Sequence, residues 1–179
     1  MKFTKFRDIP QFTRSAGYHV DVSWDALESW IARQDDKAGG DGSLELDPDF
    51  QRAHVWTEDQ QIRYIEFVLR GGHSSKEIYF NHPNWMGSLK GVMELVDGKQ
   101  RFEAARKFMR NEISVFGSLY RDFTDHLPLQ VSFSINVNNL KTRAEVLQWY
   151  IDLNAGGVAH TDDEISKVRA MLADCENTH

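Results

Sequence analysis

Val92-Met93-Glu94-Leu95-Val96 runs without a break into Asp97-Gly98, and from Lys99 the spacing becomes helical at once, with Phe102, Ala105, Phe108 and Met109 on one face. No residues remain for a loop. The β-prone stretch must end at Asp97, Gly98 must supply the tight turn, and a helix must open near Lys99 and close around Asn111. Any fold for this chain has to accommodate a strand driven straight into a helix.

The rest of the sequence is arranged around that unit. Ser23 is a candidate N-cap for a first helix carrying Trp24, Leu27 and Ile31 on one stripe, followed by the glycine-rich loop Gln34 to Gly42. Thr57 and Gln60 have capping-box spacing and open a second helix through Ile62, Ile65, Val68 and Leu69, stopped by Gly71-Gly72. Glu77 to Phe80 reads as a short strand, and Leu129 to Val137 as another. Two more capping boxes, Thr142 with Glu145 and Thr161 with Glu164, open two closing helices, the first ending at Gly156-Gly157 and the second running through Ile165, Val168 and Leu172. Few, short strands among many helices predict an α+β fold, a small mixed β-sheet surrounded by helices. With 179 residues and 41% hydrophobic content, one domain is expected over residues 1–179, with 1–43 as an N-terminal helix and loop extension.

The single cysteine, Cys175, excludes an internal disulfide and a cysteine-built metal centre, which fits the cytoplasm. No apolar run approaches a membrane span, so no membrane partner is expected. A net charge of −6 argues against DNA gripped over the whole surface. The one basic concentration is Lys99, Arg101, Arg106, Lys107 and Arg110, for which a solvated helix face and a phosphate-facing one are equally good explanations. Seven scattered histidines show no metal-ligand spacing. Walker A, Gly-x-Gly-x-x-Gly, His-Glu-x-x-His and Gly-x-Ser-x-Gly motifs are all missing.

Two segments remain that carry chemistry. In V-D-G-K-Q-R-F-E-A-A, a helix start with its positive dipole end and an arginine in its first turn makes an anion site. Asp97 is placed to hold a magnesium ion or to fix Arg101, and Gln100 to orient a water or a ribose. An ordinary strand-to-helix turn with Asp97 as cap accounts for the same residues, and spacing alone does not choose between them. The second segment, Pro48-Asp49-Phe50-Gln51-Arg52-Ala53-His54-Val55-Trp56, sets Gln and Arg between aromatics just before a helix. Taken alone it is a Phe50/Trp56 anchor.

Together, P-D-F-Q-R-x-x-V-W, then I-Y-F, then E-L-V-D-G-K-Q-R-F-E-A-A, and later L-N-A-G-G with T-D-D-E-I, resemble the domain forming the N-terminal part of GmrSD-type modification-dependent restriction proteins. The resemblance spans about Leu44 to Leu172. The hallmark of that family is Asp-Gly-Gln-Gln-Arg, and here its third position is Lys99. The family is similar in turn to the ParB/sulfiredoxin fold, in which a Gln-Pro-Arg segment and a Gly-x-x-Arg-x-x-Ala segment converge on a nucleotide. The resemblance implies a nucleoside triphosphate bound by Gln51, Arg52, Gly98, Lys99 and Arg101, with Asn154 of the Asn-x-Gly-Gly element lining the site or supporting it. It also implies catalytic roles for Asp97, Gln100 and Arg101, and magnesium at Asp97. Lys99 in place of glutamine adds positive charge, expected to strengthen binding without supporting hydrolysis. Such proteins continue into a helical region and an HNH nuclease domain, neither of which these residues contain, so nuclease activity is not expected. Three functions follow as expectations. The first is NTP binding, with hydrolysis left open, in a restriction or phage-conflict setting, working through a defence partner protein or as a standalone regulator. The second is nucleotide capture or inhibition without catalysis, and the third is DNA binding or nicking in the same cleft.

Overall fold

A computed structural model describes residues 4–9, 18–38, 44–51, 56–85, 87–155 and 162–176. The architecture is α+β, as the sequence predicts. Among the described residues five strands, β1 (Tyr18–Ser23), β2 (Leu44–Glu45), β3 (Glu77–Asn81), β4 (Met93–Asp97) and β5 (Ser132–Asn138), form one sheet in the order β1-β5-β3-β4-β2. Pairing is mixed: β1 and β5 are antiparallel, β5 and β3 parallel, β3 and β4 antiparallel, β4 and β2 parallel. Among the same residues five α-helices flank it, α1 (Leu27–Ala38), α2 (Glu58–Leu69), α3 (Lys99–Met109), α4 (Arg143–Ala155) and α5 (Asp162–Glu176).

Strand alternation sends side chains to two faces, and each face has its own core. Ile78, Phe80, Met93, Leu95, Phe133, Ile135 and Val137 pack with Trp24, Leu27 and Trp30, with Ile65 and Val68 of α2, and with Phe102, Ala105 and Phe108 of α3. On the opposite face Val96 and Tyr79 meet Val146, Leu147, Tyr150 and Ile151 of α4 and Val168 of α5, together with Phe50. Helices α1 to α3 therefore cover one side and α4 and α5 the other. The sheet is the partition between them.

Local signals explain most boundaries. The Thr57 box forms in full, with Gln60 N–H donating to Thr57 Oγ1 at 3.3 Å and Thr57 N–H to Gln60 Oε1 at 2.8 Å. Thr142 and Glu145 do the same for α4, while the Thr161 box lies outside the described residues. At the end of α2 the Gly72 N–H closes on Phe67 O at 2.9 Å.

Three expectations are corrected. The first helix begins as a 3₁₀ turn, Trp24–Ala26, and α1 runs on to Ala38, well into the stretch read as loop. Residues 18–23, read as part of an extension, are the edge strand β1, with only Val20 and Val22 facing the core. Finally, β5 starts at Ser132 because the Pro128 to Val131 turn closes with Val131 N–H on Pro128 O, leaving Leu129 exposed.

Candidate functional site at the β4–α3 turn

Gly98 is the N-cap of α3 with φ 99°, ψ 7°, and no side chain caps the helix. Only glycine fits this turn: a Cβ there would lie 2.5 Å from Ile78 Cδ1 and 3.3 Å from Glu77 O. Asp97 is therefore not the cap. Its carboxylate instead accepts from Arg101 Nη2 at 2.9 Å, and the same nitrogen donates to Glu77 O at 3.0 Å. The Arg101 guanidinium is pinned at the sheet's end beside the first turn of α3, still partly open to solvent. Its Nε is buried and has no hydrogen-bond partner among the described residues.

The two residues before Arg101 make other contacts. Lys99 is buried and its ammonium pairs with Asp47, so it is a fixed charge rather than a mobile one. Gln100, equally buried, accepts from the Trp56 N–H at 3.0 Å through its Oε1.

These contacts reach the second segment. Gln51 donates from Nε2 to Leu95 O on β4 at 2.6 Å, and Phe50 packs edge-on against Tyr150 in the far core. Trp56 packs on Tyr64 in the near core. Gln51 and Trp56 are thus each tied to the β4–α3 unit, while residues 52–55 between them, Arg52 included, lie outside the described residues. Asn154, on the last turn of α4, donates to Tyr150 O in its own helix at 2.7 Å.

One residue missed by the sequence reading joins this network. Arg143, on the first turn of α4, pairs with Asp49 and with Glu94 and lies over the Phe50 ring at 4.8 Å. Burial raises the Glu94 carboxyl above its ordinary value, helped by Asp49 and opposed by Arg143. No motif marks Arg143. It is an ordinary first-turn residue until folding sets it opposite Asp49.

The basic helix face is largely neutralised. Arg106 pairs with Glu28 and Glu103 at 2.9 and 2.8 Å, and Arg110 with Glu28 at 2.9 Å. Burial pushes the Glu28 carboxyl up, but bonds and charges from Arg106 and Arg110 leave it below its ordinary value. A helix so paired presents little free charge to a phosphate backbone.

Residues 33–134 match the family described as GmrSD restriction endonuclease, N-terminal domain, and the match contains both segments of the site. The chain belongs to this family. No curated protein and no solved structure matches it. The GmrSD N-terminal match runs from α1 up to β5 and stops short of α4 and α5, the helices that carry Arg143 and Asn154. Among the described residues no helix is long and apolar enough to cross a membrane, and no group of three or more His, Cys, Asp or Glu side chains is arranged to hold a metal.

Proposed function

We propose that this chain is the nucleotide-binding module of a restriction or phage-defence system, working with a partner protein in the cytoplasm and taking a nucleoside triphosphate at the β4–α3 turn. The carrying observation is the Arg101 guanidinium, pinned by Asp97 and Glu77 O beside the first turn of a helix whose N-cap is a left-handed glycine. Helix dipole, first-turn N–H groups and a pre-oriented guanidinium together form an anion site. The family match supports it, and so do the contacts of Gln51 and Trp56 with the same unit: in this reading Arg52 is the second segment's phosphate residue, and Gln51, whose amide nitrogen bonds Leu95 O, holds the segment in place beside it. Asn154 is assigned a supporting place.

Magnesium enters this reading with the triphosphate. Phosphate oxygens and water supply most of its ligands in such sites, so Asp97 alone suffices from the protein. Hydrolysis is the second reading, with Asp97 and Gln100 as catalytic candidates next to Arg101. Binding without turnover is favoured over it because the Gln100 oxygen is already taken by the Trp56 N–H. A ligand that binds only the folded state raises its melting temperature. A thermal-shift screen of nucleoside triphosphates with and without magnesium, paired with a labelled-phosphate turnover assay, tests both readings. No shift at millimolar triphosphate refutes the site, and released phosphate that disappears in Asp97→Asn moves the assignment to hydrolysis.

A further inference from the structure

At the other end of α3 from the anion turn lies a cavity of about 260 Å³ that neither segment of the site touches. Its lining includes four aromatic rings, Phe108, Phe116, Tyr120 and Phe123, with Asp125 and His126 among them. Phe108 is the buried floor, with Tyr120 and Phe123 set edge-on to it at 5.7 and 6.2 Å. Ring walls with a few polar groups are the usual composition of a small-ligand pocket.

The turn that carries Phe116 is the telling feature. Val115 and Ser118 exchange both backbone hydrogen bonds, and the two residues between them have positive φ, 52° at Phe116 and 79° at Gly117. Such two-residue turns favour Asn-Gly, because a bulky side chain in the left-handed region is strained. Here a phenylalanine occupies that position, and the residue is 47% exposed. Turn chemistry does not explain the choice; the ring's own contacts are the cavity it lines and the Arg70 guanidinium. A left-handed aromatic held at the mouth of a cavity is a place to ask what the cavity takes.

Outside the cavity the surface continues in the same chemistry. The Arg70 guanidinium lies 5.1 Å over the Phe116 ring, and Arg63, Phe67 and Arg70 line an adjoining recess with Glu66. Phe67 is 45% exposed. Arginines interleaved with exposed rings are how proteins hold single-stranded nucleic acid, with rings stacking on bases and guanidinium groups meeting phosphates. A cavity of this volume suits one ring system and is too small for a packed helix or strand.

We infer that this cavity takes one unstacked base of a single-stranded nucleic-acid segment, stacked on Phe116 and edge-read by Asp125 and His126, with the flanking phosphates on Arg63 and Arg70. The site is separate from the triphosphate turn and stands whether or not that turn binds nucleotide.

The test is fluorescence anisotropy of a labelled twelve-nucleotide single strand with the full chain and with Phe116→Asn and Arg70→Gln. Asparagine suits the turn, so Phe116→Asn is expected to melt no lower than the parent while binding the strand about tenfold or more weakly. Arg70→Gln should weaken binding and flatten its salt dependence. Excess triphosphate should leave the strand bound, a duplex of the same sequence should bind worse, and free nucleosides should compete poorly. The inference is overturned if Phe116→Asn binds as the parent does, or if it melts several degrees lower, which would make the ring a packing residue. Displacement by triphosphate would place the strand at the other site, and free nucleosides matching the strand would remove the strand from the proposal.

Discussion

Replacing Gly98 with alanine tests the turn on which the candidate site depends. Two costs are separable. An L-residue in the left-handed region costs about 1–2 kcal/mol. The new methyl group also meets Ile78 Cδ1 at 2.5 Å, in a core where Ile78 is fully buried, and Glu77 O at 3.3 Å. Overpacking of this kind costs a further ~1–3 kcal/mol. Gly117 is the control, because its φ is also positive, 79°, but a Cβ there meets nothing within 4 Å. Gly117→Ala should therefore show the backbone cost alone, and Gly98→Ala a total of about 2–5 kcal/mol. Urea denaturation of both variants measures the difference. The methyl group would also stand 3.3 Å from Arg101 Nη2, so Gly98→Ala should weaken triphosphate binding in whatever fraction remains folded. Equal destabilisation by the two substitutions would refute the close approach of the turn to β3.

Arg101→Ala should abolish the triphosphate-induced thermal shift while lowering stability only slightly, since its pair with Asp97 is partly exposed and such pairs contribute about 0–1 kcal/mol. Phe102→Ala, one residue on and fully buried, should cost about 3–5 kcal/mol. Lys99→Gln restores the family residue and should leave triphosphate affinity unchanged at low and high salt, because the ammonium is committed to Asp47; a salt-dependent loss in calorimetric titration would return Lys99 to the ligand. His82 is buried, its Nδ1 accepts the Asn84 N–H at 3.0 Å, and burial lowers its pKa below 6.5. The unfolded chain then takes up the proton first, so stability should fall as pH drops below about 6.5 towards the lowered folded value, and His82→Gln should flatten that limb of the pH–stability curve.

What the sequence showed clearly was what is encoded locally. Thr57 with Gln60 and Thr142 with Glu145 mark helix starts because a capping box is satisfied within four residues, and Gly98 marks its turn because L side chains are strained at that φ. What stayed hidden depends on partners distant in sequence. Edge strand β1 shows the core only Val20 and Val22, and its reason to be a strand is β5, more than a hundred residues away. β2 is two residues long and exists only by pairing with β4. The basic run on α3 invited a phosphate-facing reading because Glu28, which neutralises Arg106 and Arg110, belongs to another helix. Arg143 is the same case within the site, joined to Asp49 across 94 positions.

The Asp-Gly-Lys-Gln-Arg motif divides its labour in a way that spacing alone does not reveal. Lys99 and Gln100 spend their polar groups on Asp47 and the Trp56 backbone, and Gln51 returns the favour by donating to Leu95 O. Three contacts thus fasten the segment that flanks Arg52 to the strand and helix that carry Arg101. In the proposed site Gln100 is therefore expected to position the segment rather than to touch ligand, since its oxygen accepts from the Trp56 N–H. Arg101 differs because its guanidinium is oriented by Asp97 and Glu77 O yet remains partly open to solvent. Loss of Gln100 should accordingly weaken ligand binding and loosen segment 48–56 together, whereas loss of Arg101 should weaken binding alone. Hydrogen exchange at the Trp56 amide, read beside the triphosphate titration, separates the two roles: rapid exchange in Gln100→Ala and parental exchange in Arg101→Ala is the expected pair. Parental exchange in Gln100→Ala would mean that the segment is held without it and would return Gln100 to the ligand.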